Sequence, residues 1–433
     1  MKKTEKLHVA MSLAPTWLSG DGWRRQDSNV ESLFGSDFYL SVAKKAEAAH
    51  LDFVFCPDTQ FIKVDALEQG AGFASLDPNI LLASLFRETS KIGFLTTLST
   101  TFYPPYILAR QLQSLNWLSG GRIGWNIVTA LDGHANFGME RLPSADDRYA
   151  QAAEFVDLVK KLWSSFPNEA LVLDRESGHY ADTGLVRPVA HSGAHHSVQG
   201  PLGLPAAPSP IPLVQAGASV AGRNFAASIA DAVFASTPDK AAARELRQDL
   251  QARAQSQGRS PEAIRVLPGL SLYLADSKKE AQELFAETHA RASRQKAVGK
   301  VIELIGLDLT DWSDDRAVRA NDLPAPLPNP RSRTHSDLLR RLVEREELTV
   351  RELLSRPEVI GSAHWQVIGT VDEAFEAVRD WHREEAIDGF ICVPGGSVDC
   401  MSLALEQLMP QLSEEGLLRR NYDSDSFMGH LSE

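Results

Sequence analysis

The sequence predicts an α/β fold, a closed (β/α)8 TIM barrel with insertions, and three observations carry that prediction. Eight short apolar runs alternate with amphipathic helical stretches along the 433 residues. The runs are almost continuously apolar, as parallel strands covered on both faces must be. No GxGxxG turn follows the first run, which argues against the alternative of an open doubly wound sheet.

The first strand is expected over Leu7 to Leu13, before a loop with Gly and Trp from Ala14 to Phe34. A helix near Ser36 to His50 carries Phe38, Val42, Ala46 and Ala49 at helical spacing. The second strand, Leu51 to Cys56, stops at Pro57 and Asp58, because proline cannot donate to a ladder. Next come a strand at Ile92 to Leu98, a helix at Pro105 to Leu118 closed by Gly120 and Gly121, and a strand at Ile123 to Thr129. Asp146 to Ser165 is a long helix with Tyr149, Ala152, Val156, Val159 and Trp163 on one stripe. Strands at Ile211 to Ala216, Ala232 to Ala235 and Val266 to Ala275 then alternate with helices at Val220 to Ile229, Pro238 to Gln257 and Lys278 to Ala292. The capping-box residues Thr370 to Glu373 open a helix that delivers the last strand, Gly389 to Val393. Two stretches interrupt this alternation. Residues 166–210 are rich in Pro, Gly and His and predict little regular structure. Residues 296–361 join a Pro-rich piece, LPAPLPNPRSRTHS, to an amphipathic stretch near Leu338 to Leu354. Both are expected as excursions from a single barrel domain over 1–433, serving as covers or subunit contacts.

With a net charge of -13, the chain is a poor non-specific partner for nucleic acid. No apolar run approaches the ~20 residues of a membrane helix. Cys56, Cys392 and Cys400 make no disulfide framework and fit a reducing compartment, so a cytoplasmic protein is expected.

Barrel sites lie at the C-terminal ends of the strands. Asp58 follows the second strand, where a carboxylate either accepts from a ligand or caps a turn. Thr97 stands in a cluster of hydroxyls that ends the third strand. Asn126 lies inside the apolar fourth strand and needs a hydrogen-bond partner, either a ligand or a neighbouring strand. After the fifth strand, Gly217 and Ser219 open a helix, and Arg223 adds a cation one turn on. This suits a phosphate cradle, with a plain serine cap as the alternative. His191, His195 and His196 fall in an irregular stretch with no ligand-spaced carboxylate or cysteine, so no metal is expected. Asp146 and Asp147 read as helix N-terminal charge. Trp17, Trp23, Phe61 and Phe73 are candidates for pocket walls or for core. No catalytic residue can be defended from spacing.

Several longer runs belong together. They are LTTLSTTFYPPYILARQLQSLNWLSGGRIGWNIVT (Leu95 to Thr129), DFVFCPD (Asp52 to Asp58) and ADDRYAQAAEFVDLVKKLW (Ala145 to Trp163). QAGASVAGRNFAASIADAVF (Gln215 to Phe234), IDGFICVPG (Ile387 to Gly395) and LMPQLSEEGLLRRNY (Leu408 to Tyr422) complete the set. Across nearly the whole chain they resemble the reduced-FMN-dependent monooxygenases of the bacterial-luciferase superfamily. The branch is that of nitrilotriacetate monooxygenase component A and dibenzothiophene-sulfone monooxygenase. The resemblance implies a luciferase-like barrel with FMN at its mouth, the reduced form coming from a separate flavin reductase. It implies reaction with dioxygen to oxygenate a small organosulfur or amine-type substrate, and a homodimer or homotetramer. Flavin contacts are implied at Asp58, Thr97 and Tyr149, with Asn126 in the matched motif, and a phosphate loop at Gly217 and Ser219. A deazaflavin-dependent oxidoreductase of the same superfamily and a non-catalytic flavin-binding barrel are the alternatives. Two departures stand out. The family's His before the Arg-Tyr pair is here Ala145, and the His that precedes a Trp-Arg pair in the first loop is missing from Ser19 to Arg24.

Overall fold

The computed structural model describes residues 6–433 apart from positions 69, 218, 292, 329 and 331. The basic N-terminal segment 1–5, Ala218 in the glycine turn and Ala292 at an expected helix end therefore lie outside the described residues. Nine parallel strands form one sheet. They are β1 (His8–Ser12), β2 (Phe53–Cys56), β3 (Gly93–Ser99), β4 (Ile123–Val128), β5 (Leu213–Gln215), β6 (Ala232–Ala235), β7 (Arg265–Leu274), β8 (Trp365–Gly369) and β9 (Gly389–Pro394). Eight of them close the barrel, with β9 returning to β1 and His8 opposite Gly389. The ninth, β8, is absent from the sequence-expected set. One edge of the long strand β7 pairs with β6 over Arg265 to Pro268 and then with β8 over Leu270 to Leu274. Its other edge holds β9.

Local chemistry sets the helix ends. Gly120 closes the helix Pro105–Ser119 at φ 70°, a conformation glycine takes without a Cβ penalty. Ser144, Ser219 and Thr370 accept from the N–H groups of Asp147, Gly222 and Glu373, which satisfies otherwise orphaned donors at three helix starts. The helix Ala145–Ser164 buries Ala152, Val156 and Val159 of the predicted stripe, together with Phe155, Leu158 and Leu162 beside it.

Inside the barrel Phe53, Phe55, Leu95, Val214, Leu267 and Ile391 pack together with Phe427 from the C-terminal helix Phe427–Ser432. Phe427 enters at the N-terminal strand ends, where Gly93 and Gly124 leave room. An ideal Cβ on Gly93 would stand 2.8 Å from Phe427 Cγ, and one on Gly124 would collide with the ring. Below this plug, Arg419 reaches Asp52 at 2.6 Å, and Asp52 also meets His8 Nδ1 at 2.9 Å and the Val9 N–H at 2.7 Å. The barrel is thus sealed at one end and available at the other.

The two excursions are more ordered than their composition suggests. Residues 166–210 hold two antiparallel hairpins, Leu171–Asp174 with His179–Ala181 and Ala190–Ser192 with Ser197–Gln199. Residues 296–361 take part in helices Arg294–Ile305 and Arg333–Arg345, which pack Val301, Ile305, Leu339 and Leu342 into a hydrophobic cluster of the insert's own. Among the described residues, no helix is long and apolar enough to cross a membrane.

Candidate active site

The C-terminal strand ends open into a cavity of about 920 Å³. Five of the six residues singled out from the sequence line it: Asp58, Thr97, Tyr149, Gly217 and Ser219. They arrive on separate elements, after β2, on β3, on the helix Ala145–Ser164 and in the turn after β5. Phe61 and Phe73 wall it from the loop after β2, and Pro328, Arg333 and His335 close over it from the second insert. The volume is at the upper end of the ~300–1,000 Å³ typical of ligand sites, enough for a cofactor and a second small molecule.

One end of the cavity is built for an anion. Ser219 caps the helix Val220–Ile229, accepting from Gly222 N–H at 3.1 Å, and the dipole of that helix favours negative charge at this end. Glycine is required here by close approach: a Cβ on Gly217 would collide with Tyr149 Oη and Gln215 Nε2, and one on Gly222 would stand 2.7 Å from the same Tyr149 Oη. Arg148 also lines the cavity. Its Nη1 donates to the Pro143 carbonyl, while its buried Nε has no partner among the described residues. Burial depresses the guanidinium pKa, with no carboxylate pairing to offset it. A helix N-terminus on the cavity wall, beside a guanidinium N–H unsatisfied among the described residues, fits a phosphate group.

Asn126 does not line the cavity. It is buried, and its Nδ2 donates to Thr97 Oγ1 at 2.9 Å. The Thr97 hydroxyl spends its single proton on the Cys56 carbonyl at 2.9 Å, so Asn126 must present its amide N–H₂ and not its oxygen. That leaves Asn126 Oδ1 as a buried acceptor without a partner among the described residues. Asp58 accepts from Gln60 Nε2. Burial, aided by Asp77, holds its carboxyl above the ordinary value against the pull of the Thr59 N–H and Gln60. Acceptors of this kind at a strand end suit the N–H edge of a planar heterocycle.

The structure also redirects some expectations. Arg223 turns away from the cradle to Glu245 and Asp249 on the next helix, at 2.7 and 2.9 Å. Trp17 is core, with its ring 4.7 Å from Phe38 and its Nε1 donating to the Ser28 carbonyl. Trp23 packs against the same core. His191, His195 and His196 gather around Glu154, which meets His191 Nε2 at 3.0 Å and the backbone N–H groups of the other two. They pin a hairpin to a helix. Ala145 lines the cavity without a polar atom to offer, and neighbouring Ser144 is occupied by its capping bond. Arg148, Arg333 and His335 were missed. For Arg148 a signal existed, since a cation near the positive end of a helix dipole is unfavourable unless something negative joins it.

A model of the luciferase-like monooxygenase family matches residues 24–386. The N-acetyl-S-(2-succino)cysteine monooxygenase of Bacillus subtilis (strain 168) is 30% identical over 439 residues, 99% of this chain and 97% of that protein. Nitrilotriacetate monooxygenase component A of Aminobacter aminovorans is 32% identical over 427 residues, 95% of this chain and 92% of the relative. Among solved structures, a riboflavin lyase with modified FMN and substrate riboflavin superposes with a TM-score of 0.84 at 27% identity, covering 99% of this chain and 96% of that one. The chain belongs to the luciferase-like monooxygenase family and is an oxidoreductase of the monooxygenase type.

Proposed function

We propose that the cavity binds FMN, received in reduced form from a separate flavin reductase, and uses it with dioxygen to oxygenate a small organosulfur or amine-type compound. The observation that carries this reading is the joining of the glycine cradle and Arg148 to Asp58 and Thr97 across one cavity. Gly217, Ser219 and Arg148 would hold the phosphate. Asp58 and Thr97 would meet the ring system, with Asn126 behind Thr97 orienting its hydroxyl. Bound FMN supplies the reaction with oxygen. The chain's task is to position it and to exclude water, for which Phe61, Phe73, Pro328, Pro330 and His335 supply the cover. The substrate class is supported by the relatives, one named for an S-substituted cysteine and one for nitrilotriacetate. Anaerobic titration with reduced FMN, followed by aerobic turnover with a generic flavin reductase, tests the reading. Micromolar binding and oxygen-dependent product are expected. Failure to bind reduced FMN, or turnover that proceeds without oxygen, overturns it.

A further inference from the structure

The histidine that precedes β8 makes no polar contact with the fold. Buried polar atoms in folded proteins are almost all hydrogen-bonded. His364 departs from that rule. Its Nδ1 is shut away from solvent with no partner among the described residues, and no hydrogen bond is made at Nε2 either. An apolar side chain of the same size would fill the space without stranding a nitrogen.

Three features nevertheless hold the ring in place. The first is a socket. Leu267 of β7 packs inside the barrel, so Gly269, two residues on, faces the same side. A Cβ on Gly269 would collide with the imidazole at Nδ1. The second is the backbone. Ala363, buried and next to His364, takes φ 53°, a left-handed value that L residues rarely adopt. Its N–H is tied to the Pro357 carbonyl at 3.1 Å. Strain of this kind persists only where the surroundings enforce it, and it clusters at functional positions. The third is contact with the cavity wall. The imidazole lies 5.2 Å from the ring of Phe234, tilted by 35°, and Phe234 lines the cavity. His335, another wall residue, is near enough to oppose a charge on His364, and it meets the backbone of Ser362 two residues earlier.

Electrostatics decide what the ring can offer. Burial, with His335 adding to it, pushes the His364 pKa down to about 4, so at neutral pH the imidazole carries a single proton. A stranded N–H is rarer and costlier than a stranded lone pair, so the enclosed Nδ1 is the bare nitrogen and the proton sits on Nε2. His364 is only partly buried, and Nε2, unlike Nδ1, keeps access to open space. The result is an oriented, uncharged donor beside an aromatic face. It stands by β6 and β7, across the barrel from Asp58 and Thr97 of the β2 and β3 side.

We propose that His364 is a substrate-contacting residue, its Nε2–H donating to an acceptor atom of the substrate as that molecule lies against Phe234. This rests on the flavin monooxygenase reading given above. The test uses the intact protein loaded with oxidised FMN, so that no turnover intervenes. FMN affinity is measured first. Failure at that step sinks the flavin reading and this assignment with it, whereas failure at a later step sinks this assignment alone. The protein carries nitrogen-15 in its histidines, and the His364 signal is identified by its loss in His364→Phe. That signal should show the Nε2–H tautomer at pH 7. The probes are thioanisole and methyl phenyl sulfoxide, which share a ring for Phe234 while only the second has an oxygen acceptor. The sulfoxide should move the His364 Nε2 signal. His364→Phe should weaken the sulfoxide about three- to tenfold more than it weakens thioanisole, the range of a neutral hydrogen bond. FMN affinity should not change, and the melting temperature should be no lower, because the stranded nitrogen leaves with the ring. His364→Gln, which keeps an N–H donor, should retain part of the sulfoxide preference. A histidine that serves only the fold gives the reverse, a lower melting temperature with equal changes for both probes. That result, an Nδ1–H tautomer, or a sulfoxide that leaves the Nε2 signal in place overturns the proposal.

Discussion

Replacing Arg148 with methionine tests the phosphate assignment most directly. The guanidinium lines the cavity, donates to the Pro143 carbonyl through Nη1 and keeps a buried Nε–H without a partner among the described residues. A hydrogen bond between charged groups is worth about 1.5–3 kcal/mol. Its loss should raise the Kd for FMN roughly 10- to 150-fold. Riboflavin lacks the phosphate, so Arg148→Met should leave its affinity unchanged within about threefold, near the noise of a neutral substitution. The ratio of the two affinities isolates the phosphate contact from any general disturbance of the pocket. Stability supplies a second check. Burial already depresses the Arg148 pKa, so removing the charge relieves a desolvation penalty. The unliganded variant should melt no lower than the parent. The assay is anaerobic fluorescence titration of both flavins, with thermal melts of the apoprotein. Equal losses for FMN and riboflavin, or no loss for FMN, would refute the assignment.

Three further outcomes follow from the geometry. Gly124→Ala drives a Cβ into the Phe427 ring and should destabilise the protein by about 1–3 kcal/mol or more, read as a lower urea midpoint with unchanged m-value. Asp52→Asn strips the counter-charge from buried Arg419, although Glu433 remains 2.8 Å away, and should cost about 3 kcal/mol at neutral pH. Burial opposes ionisation of Asp52, but Arg419, His8 and the Val9 N–H outweigh it and the folded pKa falls below the ordinary value. That stability is therefore present above the unfolded aspartate pKa of about 4 and is lost as pH drops through the folded value, so the variant should show a shallower acid decline. Glu154, held down to about 2 chiefly by its bond to His191 and the N–H groups of His195 and His196, ties the second hairpin to its helix. Glu154→Ala should speed hydrogen exchange across 190–199 and leave the barrel strands unaffected.

What could be read from the sequence follows the reach of local rules. Apolar period and caps placed the eight barrel strands, and the strand-end rule singled out Asp58, Thr97, Gly217 and Ser219, which share one cavity with Tyr149, a residue implied only by the resemblance. The role of Asn126 needed coordinates, because the choice between ligand and neighbour turned on where the single Thr97 proton goes. Strand β8 is five residues long, lies directly after the insert and pairs only with the second half of β7, so neither length nor flanking turns announced it. Arg223 was placed by its distance from Ser219, but the acidic residues that capture it sit on another helix. Trp17 fell in a loop whose short 3-10 turns, and not any periodic pattern, tuck the ring inward. Arg333 and His335 reach the cavity through packing of the insert's own cluster, a tertiary event with no local signature.

That division has a mechanical consequence. The proposed flavin contacts Asp58, Thr97 and Gly217 sit on strand termini of a closed barrel, anchored by Phe427 and the Asp52 network at the far end. The proposed roof, Pro328, Pro330 and His335, is carried by an insert with a hydrophobic cluster of its own. Loosening the roof should therefore change water access and leave flavin affinity alone. His335→Ala combined with Pro328→Gly and Pro330→Gly removes the anchor to Ser332 and the two ring-stiffened positions on the wall. His335 also meets the Ser362 backbone within the insert, so a thermal melt of the variant checks that the insert stays folded. With reduced FMN supplied, oxygen consumption should continue, but a larger share should appear as hydrogen peroxide and less as product, because water reaches the reacting flavin. The ratio of product to oxygen consumed, measured beside the Kd for FMN, decides the matter. If coupling is unchanged, the turn is no cover. If FMN affinity falls in step with coupling, the two ends of the cavity are not mechanically independent and the roof is part of the cofactor site.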